Sequence, residues 1–263
     1  MTAPPSAVTR RLADPLAEAL RLIDLARDND LLLRLMGGLA IHARVPTWTA
    51  RVDREGRDID LATRSKDRWK LRDLLAAEGY APDKSYNAIH GYKQLYFSDP
   101  ASGRPVDVLI DRLEMCHVVE FGPRLRLDSP TLPLADLLLT KLQIVKINRK
   151  DVLDALVLLG EFPLGSGDDA TINMPLIARI TGSDWGWWRT IRQNLEKLDG
   201  FVVELLDSGE LDVGRPLRHD LTAQIATLRA AIDAAPKSIK WRLRHQVGDR
   251  VQWYREPEES THG

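Results

Sequence analysis

The sequence carries one cysteine, Cys116, in 263 residues, so no disulfide can form within the chain and the fold must be held by its core. His117 follows it with no second Cys-His pair at ligand spacing, which points to a buried thiol beside a loop histidine rather than a zinc site. No run approaches the roughly 18 consecutive apolar residues of a membrane span. The opening MTAPPSAVTRRLADP lacks an apolar signal segment, so the expectation is a cytoplasmic protein with no membrane partner. An excess of one charge is also missing: the formal net charge of -1 excludes a uniformly basic coat for nucleic acid and allows only a local patch. There is no internal repeat and no low-complexity tract.

What is present is ordinary for a globular chain, with 44% hydrophobic and 29% charged residues. A chain of this length buries about 70 to 75% of its unfolded surface, enough for one large domain or two small ones. Apolar residues at Leu16, Ala19, Leu20, Leu22, Ile23 and Leu25 predict a helix over 14–27. Leu31 to Met36 reads as a buried strand, and Leu39 to Arg44 as a helix, so Gly37-Gly38 falls at a strand-to-helix turn. Lys66 to Glu78 is helical by its spacing. From Tyr80 to Ile110 the signals are those of strands. Tyr92 to Phe97 and Val106 to Ile110, separated by the turn residues Asp99 to Gly103, predict an antiparallel hairpin.

Within this pattern Gly56 to Ala62 reads as a strand with Asp58 and Asp60 on one face, because successive strand side chains alternate. Two carboxylates about 7 Å apart are costly on a buried face unless a cation lies between them. Asp107 supplies a third carboxylate on the hairpin. Each feature alone has a plain alternative: a solvated strand end for Asp58 and Asp60, a turn for the glycines, an edge acid for Asp107. Helices and strands in this order predict an α+β fold, a mixed sheet with flanking helices, followed by a C-terminal helical region.

After Pro130 helical stripes dominate, over 132–147, 151–159, 175–181, 184–198 and 218–235. Residues 160–169, rich in Gly, Pro and acids, read as a linker. The expected division is an α/β core over 1–130, a helical region over 131–235 and a basic, aromatic extension over 236–263. Trp185, Trp187 and Trp188 suit either packing between helices or base stacking. Lys237 to His245, with Arg250, Trp253 and Tyr254, interleaves cations with aromatics. It suits a strand or loop that tracks a nucleic-acid backbone, or equally a cap on the helical bundle.

Gly37-Gly38, Asp58-x-Asp60 and Asp107 together resemble the nucleotidyltransferase superfamily related to DNA polymerase β. Lys141-Leu142-Gln143 and the later Arg149-Lys150-Asp151-Val152-Leu153-Asp154 are similar to the Lys and Arg/Lys-Asp-x-x-Asp pattern of the AbiEii-type toxin nucleotidyltransferases. The resemblance covers about residues 30 to 160. It implies that Asp58, Asp60 and Asp107 bind Mg²⁺, with Asp107 also placed to take the acceptor's proton. Gly37, Gly38 and Arg57 would contact the nucleotide, Lys141 the β- and γ-phosphates, and Asp154 would orient Lys141 or the acceptor. Arg149, Lys150 and Asp151 would be supporting contacts. Physically, glycines admit a triphosphate to the backbone and to a helix N-terminus, and paired Mg²⁺ ions supply positioning and neutralisation. The resemblance implies transfer of a nucleoside monophosphate from an NTP to RNA such as a tRNA 3′ end, with a cognate antitoxin as partner. An antibiotic hydroxyl, or a catalytically inactive binding module, are the alternatives. Leu39 stands where many members carry Ser after the glycines.

Overall fold

The computed structural model describes residues 12–48 and 58–256. Helix α1 (Pro15–Asp28) starts at Asp14, whose carboxylate accepts from the Ala17 N–H, and Pro15 costs nothing at a first turn where N–H groups lack partners anyway. Chain order then gives β1 (Leu33–Leu35), α2 (Gly37–Arg44), β2 (Ile59–Thr63), α3 (Arg68–Ala77), β3 (Ala81–Pro82), α4 (Lys84–His90), β4 (Gln94–Ser98) and β5 (Pro105–Ile110). These strands form one sheet in the order β1-β2-β5-β4-β3. β2 and β5 run parallel, and the other neighbours are antiparallel. The chain is thus an α+β protein with a mixed sheet. The β4–β5 hairpin turns at Asp99 to Gly103, where the Asp99 carboxylate accepts from the Ala101 N–H and the Ser102 hydroxyl.

Beyond Ile110 a small hairpin, β6 (Arg112–Glu114) and β7 (Val118–Glu120), leaves the sheet. The helical part follows: α5 (Leu134–Leu142), α6 (Arg149–Glu161), the paired β8 (Leu164–Gly165) and β9 (Ile172–Asn173), α7 (Met174–Ser183), α8 (Trp185–Asp207), α9 (Leu221–Ala234) and α10 (Ile239–Val247). Every residue of α5 is buried, because α2, α6, α7, α8, β7 and β9 all pack against it. The apolar core is continuous from Ala19 to Ile232, across the division near Pro130.

Several expected elements change. The helix expected to reach Ile147 stops at Leu142, because the Asn194 amide of α8 donates to the carbonyls of Leu142 and Ile144 and draws the chain away. Residues 160–169 are not a free linker: β8 pairs with β9, and Asp168 forms an ion pair with Arg124 at 2.5 Å. Residues 84–90, read among strand signals, form α4, started by Asp83 accepting from the Tyr86 N–H. Helix α8 continues past Leu198 to Asp207, since Val202 and Leu205 extend its buried stripe. The stretch read as strand or loop from Lys237 is a helix, α10, capped by the Ser238 hydroxyl accepting from the Trp241 N–H. The described strand carrying the acids starts at Ile59, so Asp58 lies just before it, exposed. Among the described residues no helix is long and apolar enough to cross a membrane.

Candidate active site

Strand β1 runs straight into α2 through Met36, whose N–H donates to the Asp60 carbonyl at 2.9 Å. Gly37 then adopts φ +66°, the left-handed region that glycine enters without steric cost. A β-carbon at Gly37 would lie 2.0 Å from Asp60 Oδ2, so only a residue without a side chain fits. The glycine turn and the central acid are therefore packed against each other. Gly38 is half-buried in the first turn of α2. The N-cap residue Met36 provides no side-chain acceptor, which leaves the early N–H groups of α2 without a side-chain cap.

Asp60 and Asp107 are register partners on the parallel strands β2 and β5, which places their Cα atoms about 4.8 Å apart. Both are half-buried. Burial, then the Asp107 carboxylate, push the Asp60 carboxyl up to about 7; Asp58 adds to this, while Lys141 and Lys150 pull it down. A carboxylate pair under this repulsion favours a cation between its members. Among the described residues no lysine or arginine forms an ion pair with Asp58 or Asp60. Gln94 Nε2 donates to Asp107 Oδ1 at 2.5 Å, and the Tyr86 hydroxyl donates to Gln94 Oε1 at 2.7 Å.

The donor set suits Mg²⁺, a hard cation that takes oxygen ligands and commonly binds one or two carboxylates, substrate phosphates and water. Among the described residues no three or more His, Cys, Asp or Glu side chains are gathered closely enough to hold an ion. Asp60 and Asp107 instead form a two-carboxylate platform with Asp58 exposed beside it, and the Gly37 cradle opens onto the same carboxylate.

Lys141, at the C-terminal end of α5, is buried and ion-paired to Asp154 at 2.8 Å and Asp151 at 3.0 Å on α6. Burial opposes its charge, but the two aspartates outweigh that and hold it protonated well above the usual lysine range. Asp154, which the resemblance casts as orienting Lys141 or the acceptor, is ion-paired to Lys141, with Asp151 as a second partner. Asp151 is itself positioned at the start of α6, where its N–H donates to Asn148 Oδ1 at 2.9 Å. Arg149 points elsewhere, bound to Glu204 at 2.9 Å and Glu210 at 2.7 Å. Leu39 is in the core. Arg57 lies outside the described residues. Gln94 and Tyr86 escaped the sequence reading, although alternation along β4 puts Gln94 on the face away from buried Leu95 and Phe97.

No family model matches the chain, and no curated protein does. Among solved structures the chain is similar to a STING-associated CdnE c-di-GMP synthase from Capnocytophaga granulosa. The identity is 15%, covering 91% of this chain and 85% of that one, with a TM-score of 0.28.

Proposed function

We propose that this chain is a nucleotidyltransferase that moves a nucleoside monophosphate from an NTP to an acceptor hydroxyl. The observation that carries the reading is the packing of Gly37 against Asp60, with Asp107 beside it in register. Asp60 and Asp107 would hold Mg²⁺, which when bound neutralises the triphosphate and the charge that develops on the leaving group. The early N–H groups of α2 donate to phosphate oxygens. The acceptor oxygen forms a bond to the α-phosphorus as the bond from that phosphorus to the β-bridging oxygen breaks, and pyrophosphate leaves. The hydroxyl proton passes to Asp107, whose carboxylate Gln94 holds in place. Lys141, kept protonated by Asp151 and Asp154, adds positive charge within electrostatic reach of Asp60.

RNA, such as a tRNA 3′ end, is the proposed acceptor, and a restraining antitoxin the proposed partner. Both rest on the likeness of the Lys141 to Asp154 pattern to AbiEii-type toxins. The test is incubation of the chain with labelled NTPs, Mg²⁺ and total tRNA, in parallel with Asp60→Asn. Labelling by the natural chain alone supports the reading; equal labelling by both sinks it. Acceptor screening with aminoglycoside-type hydroxyl compounds separates RNA from an antibiotic. A second reading, nucleotide binding without transfer, is favoured by the burial of Leu39, which brings no hydroxyl to the turn. NTP binding that needs no Mg²⁺ and releases no pyrophosphate would decide for it.

A further inference from the structure

A second concave feature lies away from the aspartates, between the start of α8, helix α10 and the segment at Trp253-Tyr254. It is a cleft of about 710 Å³ walled by Trp185, Trp241, Trp253 and Tyr254 and rimmed by Lys240 and Arg244. The segment from Lys237 to Gly248 holds four cations and no acid, and the next acid, Asp249, is ion-paired to Arg189 at 3.0 Å. Arg244 is fixed in place: it donates to the carbonyls of Gly248 and Val251, and its guanidinium lies 4.6 Å from the centre of the Trp185 ring. Lys240 is exposed at the rim.

The aromatics of the wall differ in what they leave open. Three neighbouring indoles use their N–H groups: Trp185 donates to His245, Trp188 to Asp233 and Trp253 to Thr190, at 2.8 to 2.9 Å. Trp185 and Trp241 are buried against their neighbours, whereas Trp253 and Tyr254 are half-buried and keep surface open to the cleft. His117, also in the lining, is held neutral by burial, its pKa pushed down to about 4, so the cleft's positive charge comes from Lys240 and Arg244.

We infer that this cleft binds an unpaired nucleotide of a single-stranded nucleic acid. The flat base lies against Trp253 and Tyr254, the half-buried aromatics of the wall, and the flanking phosphates meet Lys240 and Arg244. Stacking on aromatics with a cationic rim is the means by which single strands are held without duplex geometry. A membrane surface is disfavoured because the aromatics line a concavity. The cleft is tied to the end of α5 by the His117 N–H, which donates to Gln143 Oε1 at 3.1 Å. The binding rests on the cleft's own lining; only its service as the acceptor's anchor rests on the nucleotidyl-transfer reading.

The test uses the full chain, labelled oligouridine RNA, EDTA and no NTP, with fluorescence anisotropy and tryptophan quenching as readouts. Tyr254→Ala should weaken binding about tenfold, the scale of one lost stacking contact. Lys240→Gln should lower the slope of log affinity against log salt by about 0.7, as for one phosphate contact to a single strand. Oligothymidine binding of similar strength agrees with readout of base face and phosphate. The inference is overturned by binding without quenching of the tryptophans, by wild-type affinity and salt slope in both variants, by equal affinity for a duplex, or by capture on phosphatidylserine vesicles with no RNA binding. Because neither Mg²⁺ nor NTP is present, a chain that binds RNA here but never labels it sinks only the transfer reading. One that labels RNA yet binds none through this cleft sinks only this inference.

Discussion

Replacing Gly37 by alanine separates a strained turn from a built active site, because Gly103 provides the matched control. Both glycines have positive φ, +66° and +72°, but a β-carbon at Gly103 meets nothing within 4 Å while one at Gly37 meets Asp60 Oδ2 at 2.0 Å. Gly103→Ala should therefore cost only the left-handed strain, about 1 to 2 kcal/mol. Gly37→Ala bears the same strain and must also drive the carboxylate outward by about 1.4 Å to reach ordinary contact at 3.4 Å. That overpacking adds about 1 to 3 kcal/mol. A displacement of this size at a catalytic carboxylate costs about 100-fold in rate. Adding Asp60→Ala removes Cγ and both oxygens, leaving the Asp60 Cβ at 3.1 Å as the nearest atom, so the double variant should recover most of the overpacking cost. Urea unfolding of the wild type, Gly37→Ala, Asp60→Ala and the double variant measures the coupling, Gly103→Ala is the control, and NTP-dependent labelling measures the loss of rate. If Gly37→Ala is no less stable than Gly103→Ala, or if Asp60→Ala fails to relieve it, the packing of the turn on Asp60 is wrong.

Two further outcomes follow from the charges. The Asp60 carboxyl, raised to about 7 in the folded chain, binds more protons folded than unfolded between about pH 4 and 7, so metal-free stability should fall as pH rises through that window and level off above it. Asp60→Asn should flatten this profile and raise Tm at pH 8 in EDTA by about 2 to 4 °C, the shift that 1 kcal/mol produces in a chain of this size; an unchanged pH profile would refute the assignment. Lys141→Met leaves Asp151 and Asp154 buried without their cation and should cost about 3 to 5 kcal/mol in urea unfolding, whereas a cost below about 1 kcal/mol would show the pair to be solvated.

The local readings that succeeded are those in which neighbouring residues impose the answer. Asp99 to Gly103 is a turn because Asp and Gly accept its geometry, and the hairpin it joins sets Asp107 on a strand. The Gly37-Gly38 turn is legible because apolar strand and helix patterns meet there. Readings failed where a distant group intervened. Nothing near Leu142 in sequence announces that Asn194, 52 residues on, takes the helix's last carbonyls. Basic residues between Lys237 and His245 hid a helix, since Trp241 is its only buried side chain and the apolar stripe that marks most helices is missing.

By itself the sequence determined an α+β order of elements, a glycine turn and two carboxylates on strands, Asp60 and Asp107, because alternation and turn chemistry act over a few residues; Asp58 falls just before its strand. Only the tertiary structure decided that Asp60 and Asp107 are register partners on parallel strands, that Gly37 packs on Asp60, and that Lys141 is spent on Asp151 and Asp154. It alone closed the tryptophans of α8 and α10 into one cleft. Those arrangements depend on strand order and helix packing between residues tens of positions apart, and no local pattern encodes them.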